Sequence, residues 1–365
     1  MTVERIEYID FLKGIFIALV VITNLTQMNG PFWDVPRIPM GSLSDIDSVF
    51  ADIIYMLGIP ELSNMFIFIL GHNAVFFVLK YRNFAAHCKR CFFFIILGLV
   101  HMIFFYWGDI LFYYGFCSLF LFNLTKMNIR KIEFMLAFIF VIFYITYIYI
   151  KFFHQEVFIP DLSIDSHLGF GTLPFWELVK LRASHSWEFN LRRLFDFSSI
   201  KFSVSNYLFV LNIFIYSTLG IWAARTSFIK NLKITSKVML VILTIFISGQ
   251  ILKYNFQTIY QVLIPIRGVF NLFLGLVFVK TIYKFFQASY IKTLLCNAGR
   301  NSLTIYFGGS VLGTLVLSSF GLALYQKIGP FNLFLIGFFY FWLIAYASTK
   351  QKWLVLENLW RSLLR

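Results

Sequence analysis

Phe134–Ile150 reads Phe-Met-Leu-Ala-Phe-Ile-Phe-Val-Ile-Phe-Tyr-Ile-Thr-Tyr-Ile-Tyr-Ile, without one charged side chain. A helix at a water-exposed surface keeps a polar face, and this run has none. About 20 mostly apolar residues carry a helix across the roughly 30 Å hydrocarbon core of a bilayer. Inside that core only helices and closed barrels satisfy every backbone polar group. The in–out alternation of a barrel strand is absent. Ile15–Thr23 and Cys91–Trp107 repeat the pattern, and the whole chain is 59% hydrophobic and 13% charged. The sequence therefore reads as an all-α, polytopic transmembrane helical bundle.

Working outward, about 10 such spans emerge, at roughly 10–29, 60–80, 91–108, 109–125, 132–150, 206–224, 237–252, 258–280, 300–319 and 331–348. Together they make a single transmembrane domain over 1–365. The net charge of +14 has a definite placement. Lys80, Arg82, Lys89, Arg90, Lys126, Arg130, Lys131 and most other basic residues fall at alternate span ends. Asp34, Asp45, Asp47 and Asp52 fall on the opposite side. That asymmetry follows the positive-inside rule, puts both termini in the cytoplasm and is expected of a plasma membrane. It also explains the basic charge without nucleic acid. Acidic Glu4, Glu7 and Asp10 precede the first apolar run and no small-residue cleavage site follows, so that span is expected to stay as an anchor. Cys88, Cys91, Cys117 and Cys296 lie in or beside spans, which predicts neither a disulfide framework nor a metal site.

Two longer outer segments interrupt the spans. Residues 151–205 contain an amphipathic stretch, Phe175–Trp187, read as a helix at the outer interface and as a lid or entry element. Asn29–Glu61, rich in Pro and Asp, is expected to fold back over the same entrance.

Polar groups at membrane depth are expensive, so each is a functional candidate. The sharpest set is Gly98-Leu-Val-His101 followed by Gly108-Asp109. Across a tight turn, the imidazole and carboxylate can meet, as in a general base or a plain tie between helices. Asn24, deep in the first span, suits an oxyanion donor or interhelical glue. Lys89 and Arg90, with Arg300 and Asn301 at a helix N-terminus, suit a phosphate-bearing donor; lipid head groups explain the same charges. Arg267, His72 and Arg182 are candidates for substrate binding. The remaining His residues lack metal-ligand spacing, and no metal is expected.

The residues also resemble a family. Arg5-Ile-Glu-Tyr-Ile-Asp10-Phe-Leu-Lys13-Gly14 opens the chain in the manner of the YeiB-like bacterial membrane proteins. Asn64-Met-Phe-Ile-Phe-Ile-Leu-Gly71, Gly98–His101 with Gly108-Asp109-Ile-Leu111, Gly299-Arg-Asn-Ser-Leu-Thr304 and Leu356-Glu-Asn-Leu-Trp-Arg361 follow in the same order. Lys13, Ile305 and Val355-Leu356 depart from the usual residues. The YeiB-like family is similar, distantly, to the transmembrane acyltransferases, among them polysaccharide O-acetylases and heparan-alpha-glucosaminide N-acetyltransferase. In the former a His stands where Asn24 stands here; in the latter an Asn does, with a His beyond it.

That resemblance implies transfer of an acyl group, acetyl first among them, from cytoplasmic acyl-CoA to an extracytoplasmic acceptor. The acceptor would be an envelope glycan, a lipid-linked sugar or a secreted small molecule. His101 would be the base, oriented by Asp109, with Asn24 on the thioester carbonyl. The partners are then membrane lipids, acyl-CoA and the acceptor, and a homo-oligomer is compatible with the chain. A second class stays open: a proton-coupled transporter or flippase using His101, Asp109 and Arg267. A third is a non-catalytic envelope factor.

Overall fold

The structure, a computed structural model, describes residues 7–29, 44–56, 59–81, 83–106, 108–153, 171–186, 200–232, 257–286, 289–350 and 354–364, with single helical positions at 241, 244 and 248. Every regular element among them is a helix: α1 (Glu7–Met28), α2 (Asp45–Met56), α3 (Ile59–Tyr81), α4 (Phe84–Phe104), α5 (Leu111–Lys126), α6 (Ile129–Phe153), α7 (Phe175–His185), α8 (Ile200–Arg225), α9 (Phe228–Asn231), α10 (Gln257–Phe285), α11 (Tyr290–Arg300), α12 (Ser302–Leu317), α13 (Pro330–Lys350) and α14 (Val355–Leu364).

Seven of these, α1, α3, α4, α6, α8, α10 and α13, are long and apolar enough to cross a membrane. Helices α5 and α12 have 16 residues each, about 24 Å at 1.5 Å per residue. Nine expected spans coincide with a helix; the tenth, 237–252, falls almost wholly outside the described residues. Helix α6 shows why the opening run decides the class. Phe134, Phe138, Val141 and Ile145 lie on one helical stripe and are all exposed, a face that only lipid suits. The chain is a multi-pass membrane protein.

The expected start of the third span, residue 91, needs correction. Helix α4 begins seven residues earlier, at Phe84, where the Asn83 side chain accepts the Ala85 N–H at 2.8 Å. Lys89 and Arg90 therefore sit in its second turn rather than before it. Four helices were not expected at all: α2, α9, α11 and α14. Each is short and carries charges, so none has the uniform apolar run that marked the others. Helix α7 appears where the amphipathic stretch predicted it.

Helix α1 is the hub, packed on α3, α10, α11, α12 and α13 with Phe11, Leu12, Ile17 and Leu25 fully buried. Helix α11 crosses the start of α1 so closely that a Cβ at Gly299 would fall 1.8 Å from the Asp10 carbonyl oxygen; only glycine fits. Arg300 Nε then lies 3.2 Å from Asp10 Oδ2, and Lys292 Nζ lies 3.2 Å from Glu7.

The joint between α11 and α12 is also where the tail docks. Asn301 Oδ1 accepts the Leu354 N–H at 2.8 Å. Glu357 Oε1 accepts the N–H groups of Leu303 and Thr304 at 2.8 and 3.1 Å, and the Thr304 hydroxyl donates to Oε2. A carboxylate thus caps the N-terminus of α12 from 50-odd residues away, matching two orphan donors and the positive helix end. Burial pushes the Glu357 carboxyl up from its ordinary range, and those hydrogen bonds pull it back only in part. Two motifs far apart in sequence, Gly299–Thr304 and Leu356–Arg361, are one structural unit.

Candidate functional site

The turn after α4 brings the expected pair together. The chain leaves α4 with the N–H groups of Phe105 and Tyr106 both donating to the His101 carbonyl. It then returns into α5, where Asp109 Oδ2 accepts the Phe112 N–H at 2.8 Å. The carboxylate sits at the positive end of α5, where negative charge is favoured. Close approach of the two helices requires Gly98: a Cβ there would fall 2.3 Å from the Phe112 nitrogen and 2.7 Å from Asp109 Oδ2.

His101 Nδ1 lies 2.9 Å from Asp109 Oδ1, off the line of a regular hydrogen bond, and both side chains are 0% exposed. Tyr306 of α12 donates to the same Oδ1 at 3.1 Å, and its ring lies over the imidazole at 4.8 Å between centroids. Phe307 and Tyr106 complete the ring shell at 5.4 and 6.3 Å. His101 Nε2 has no hydrogen-bond partner among the described residues. One imidazole nitrogen is thus next to a carboxylate, and the other is open for a proton.

The polar cluster extends toward α1 through Tyr106, whose hydroxyl donates to Gln27 Oε1 at 2.5 Å. Gln27 lies one turn beyond Asn24 on α1 and joins that helix to the His101 corner. Asn24 itself is half-buried. Tyr306, Tyr106 and Gln27 were not singled out in the sequence. In a chain with 19 Tyr residues, no spacing rule separates two buried hydroxyls from the rest.

Above this cluster sits α7. Leu178 packs with Met28, Tyr106, Val316, Leu317, Tyr325 and Leu333. Arg182, expected to bind an acceptor, is instead turned inward and buried, and its Nη1 donates to the Phe104 carbonyl at 2.5 Å. It caps the negative end of α4, and burial pulls its guanidinium down to about 9. Thr314 Oγ1 holds the next carbonyl, that of Phe105, at 3.0 Å. Helix α7 is thereby fastened to the corner that carries His101. Helix α2, from the other outer segment, packs on α13, and Asp47 Oδ1 accepts the Phe331 N–H at 3.0 Å; residues 30–43 lie outside the described residues.

The four residues expected to hold a phosphate-bearing donor are divided among different tasks. Arg300 pairs with Asp10, and Asn301 holds the tail. Lys89 is exposed, whereas Arg90 beside it is buried, with Nη2 donating to the Tyr114 hydroxyl at 2.7 Å. His72 is buried on α3 with its ring 5.0 Å from Phe76. Phe66 of the same helix stacks on Tyr306, so His72 stands about 9 Å further along the helix from the His101 cluster. The Arg267 side chain lies outside the described residues. No group of three His, Cys, Asp or Glu suited to a metal occurs among the described residues, and all four cysteines are free thiols.

No curated protein and no solved structure matches the chain. Residues 223–364 match the model of a family described as protein of unknown function (DUF418). The match takes in both motifs of the tail joint and Tyr306, and it agrees with the resemblance drawn from those motifs. Over residues 223–364 the chain is therefore similar to that family.

Proposed function

We propose that this chain is a plasma-membrane acyltransferase, moving an acyl group, acetyl in the simplest case, from cytoplasmic acyl-CoA to an extracytoplasmic hydroxyl or amine. One observation carries the reading: His101 has Asp109 at one ring nitrogen and an open second nitrogen. The acceptor O–H or N–H gives its proton to His101 Nε2 as its heteroatom attacks the thioester carbonyl. The new C–O or C–N bond forms, the C–S bond breaks, and the imidazolium returns the proton to the CoA sulfur. Asp109 stabilises the transient imidazolium, and Tyr306 and the Phe112 N–H keep the carboxylate in place. A positioned base of this kind contributes about 10²–10⁴-fold. Asn24 is the donor assigned to the thioester oxygen. Exposed Lys89 suits the donor's phosphates, and envelope glycans, lipid-linked sugars or secreted small molecules are the acceptors. Acyl transfer is chosen over other proton chemistry because of the family resemblance.

A second reading has its own support. Both side chains of the dyad are fully enclosed, as in the occluded state of a proton-coupled transporter or flippase. Proteoliposomes supplied with labelled acetyl-CoA and a panel of acceptors separate the two. Acceptor-dependent release of CoA is the expected result. Movement of solute or lipid with no CoA consumed would replace the enzyme by the transporter.

A further inference from the structure

Eleven residues below His101 on α4 lies a second polar cluster with a different composition. Arg90 and His87 stand one turn apart on α4, facing Tyr114 and Ser118 one turn apart on α5. Arg90 Nη2 donates to the Tyr114 hydroxyl and His87 Nε2 bonds the Ser118 carbonyl, each at 2.7 Å. A carbonyl only accepts, so neutral His87 carries its proton on Nε2 and offers Nδ1 as an acceptor. Two buried atoms of this cluster have no partner among the described residues: Arg90 Nη1 and His87 Nδ1. Arg90 is 6% exposed, and no carboxylate among the described residues pairs with it. Its guanidinium faces the rings of Phe77, Phe94 and Tyr114 at 5.1, 5.7 and 5.7 Å. Trp360 of the docked tail packs behind Phe77 and Phe94. Aromatic faces ease the burial of a cation, but they supply no oxygen to the orphaned N–H groups.

We propose that Arg90 is the centre of a phosphate-oxyanion site between α4 and α5, with Nη1 and the Ser118 hydroxyl as donors and His87 Nδ1 accepting from a bound water or a protonated oxygen. A guanidinium matches such an oxyanion in both charge and geometry. The head group of an anionic lipid is the source that the surroundings favour. Arg90 lies about 9 Å along α4 from Phe84, near head-group depth. Phe84, Phe92 and Phe120 around it are exposed as a lipid-facing surface should be. A lipid phosphate enters sideways from the leaflet and needs no aqueous channel. The site stands whether or not the chain transfers acyl groups.

The test uses full-length protein stripped of lipid in a neutral detergent. Melting temperature is followed against short-chain phosphatidylglycerol, inorganic phosphate and free coenzyme A. Phosphatidylglycerol should raise the melting temperature of the wild type, with an apparent Kd at least tenfold weaker in Arg90→Gln and unchanged in the surface control Arg130→Gln. Ser118→Ala, which leaves the charge in place, should weaken binding a few-fold. A shift given instead by phosphate or coenzyme A, and lost in Arg90→Gln, supports the same site with a soluble source. No shift by any of the three in the wild type, or a shift that survives Arg90→Gln, overturns the proposal.

Discussion

The two buried polar clusters of α4 differ in how their charges are matched. At the C-terminal end of the helix, Asp109 collects the Phe112 N–H, the Tyr306 hydroxyl and the His101 imidazole, so the carboxylate is met by donors from within the chain. At the N-terminal end, Arg90 has a phenol, three aromatic faces and, among the described residues, no carboxylate. The first arrangement holds a proton donor and acceptor in fixed register. The second leaves a charge for something else to neutralise. One helix thus carries a closed circuit and an open one, and substitution should affect them in opposite ways.

The largest effect is expected from Asp109→Ala. Removing one partner from a buried charged network costs about 3–5 kcal/mol, and here three groups lose their acceptor at once. Thermal unfolding in detergent should show a large fall, smaller in Asp109→Asn. Gly98→Ala should come next, because its Cβ would meet the Phe112 nitrogen at 2.3 Å. Overpacking of this kind costs about 1–3 kcal/mol, and a neutral melting temperature would mean that the closed circuit is looser than described. Glu357→Ala removes the cap of α12 and the seat of the tail, with a cost of about 1–3 kcal/mol for buried donors left unmet. Glu357→Gln should recover part of it, since its amide oxygen can still accept the Leu303 and Thr304 N–H groups; equal loss in both variants would argue against the cap. The smallest effect should be Arg90→Gln in lipid-free protein, which should melt no lower than the wild type because an uncompensated buried charge is removed. A fall as large as that of Asp109→Ala would erase the contrast between the two ends.

Much of this was legible in the sequence, for a physical reason. A lipid-facing helix leaves a run such as Phe134–Ile150 that no soluble fold tolerates, so the class could be read directly. His101 and Asp109 stood out because ionisable groups at that depth are rare, and a glycine corner places them within reach. What stayed hidden were elements whose signal is mixed. Arg90 looked like the end of a loop because its charge suggested water; it is in fact enclosed by Phe77, Phe94 and Tyr114 from other turns and helices. Arg182 looked like a substrate contact, yet the carbonyl it serves, that of Phe104, is 78 residues away. Helices α11 and α14 carry too many charges for an apolar run, and their stability comes from docking on α1 and on α12. Tyr306 and Gln27 were invisible because one hydroxyl or amide among many acquires meaning only from its neighbour in space.

The most direct test of the central claim is the rate of acceptor-dependent CoA release in proteoliposomes carrying wild-type protein or His101→Ala, at matched amounts of folded protein. If His101 Nε2 is the proton acceptor of the reaction, the substitution should slow release about 10²–10⁴-fold. Release at the wild-type rate by His101→Ala would contradict the account.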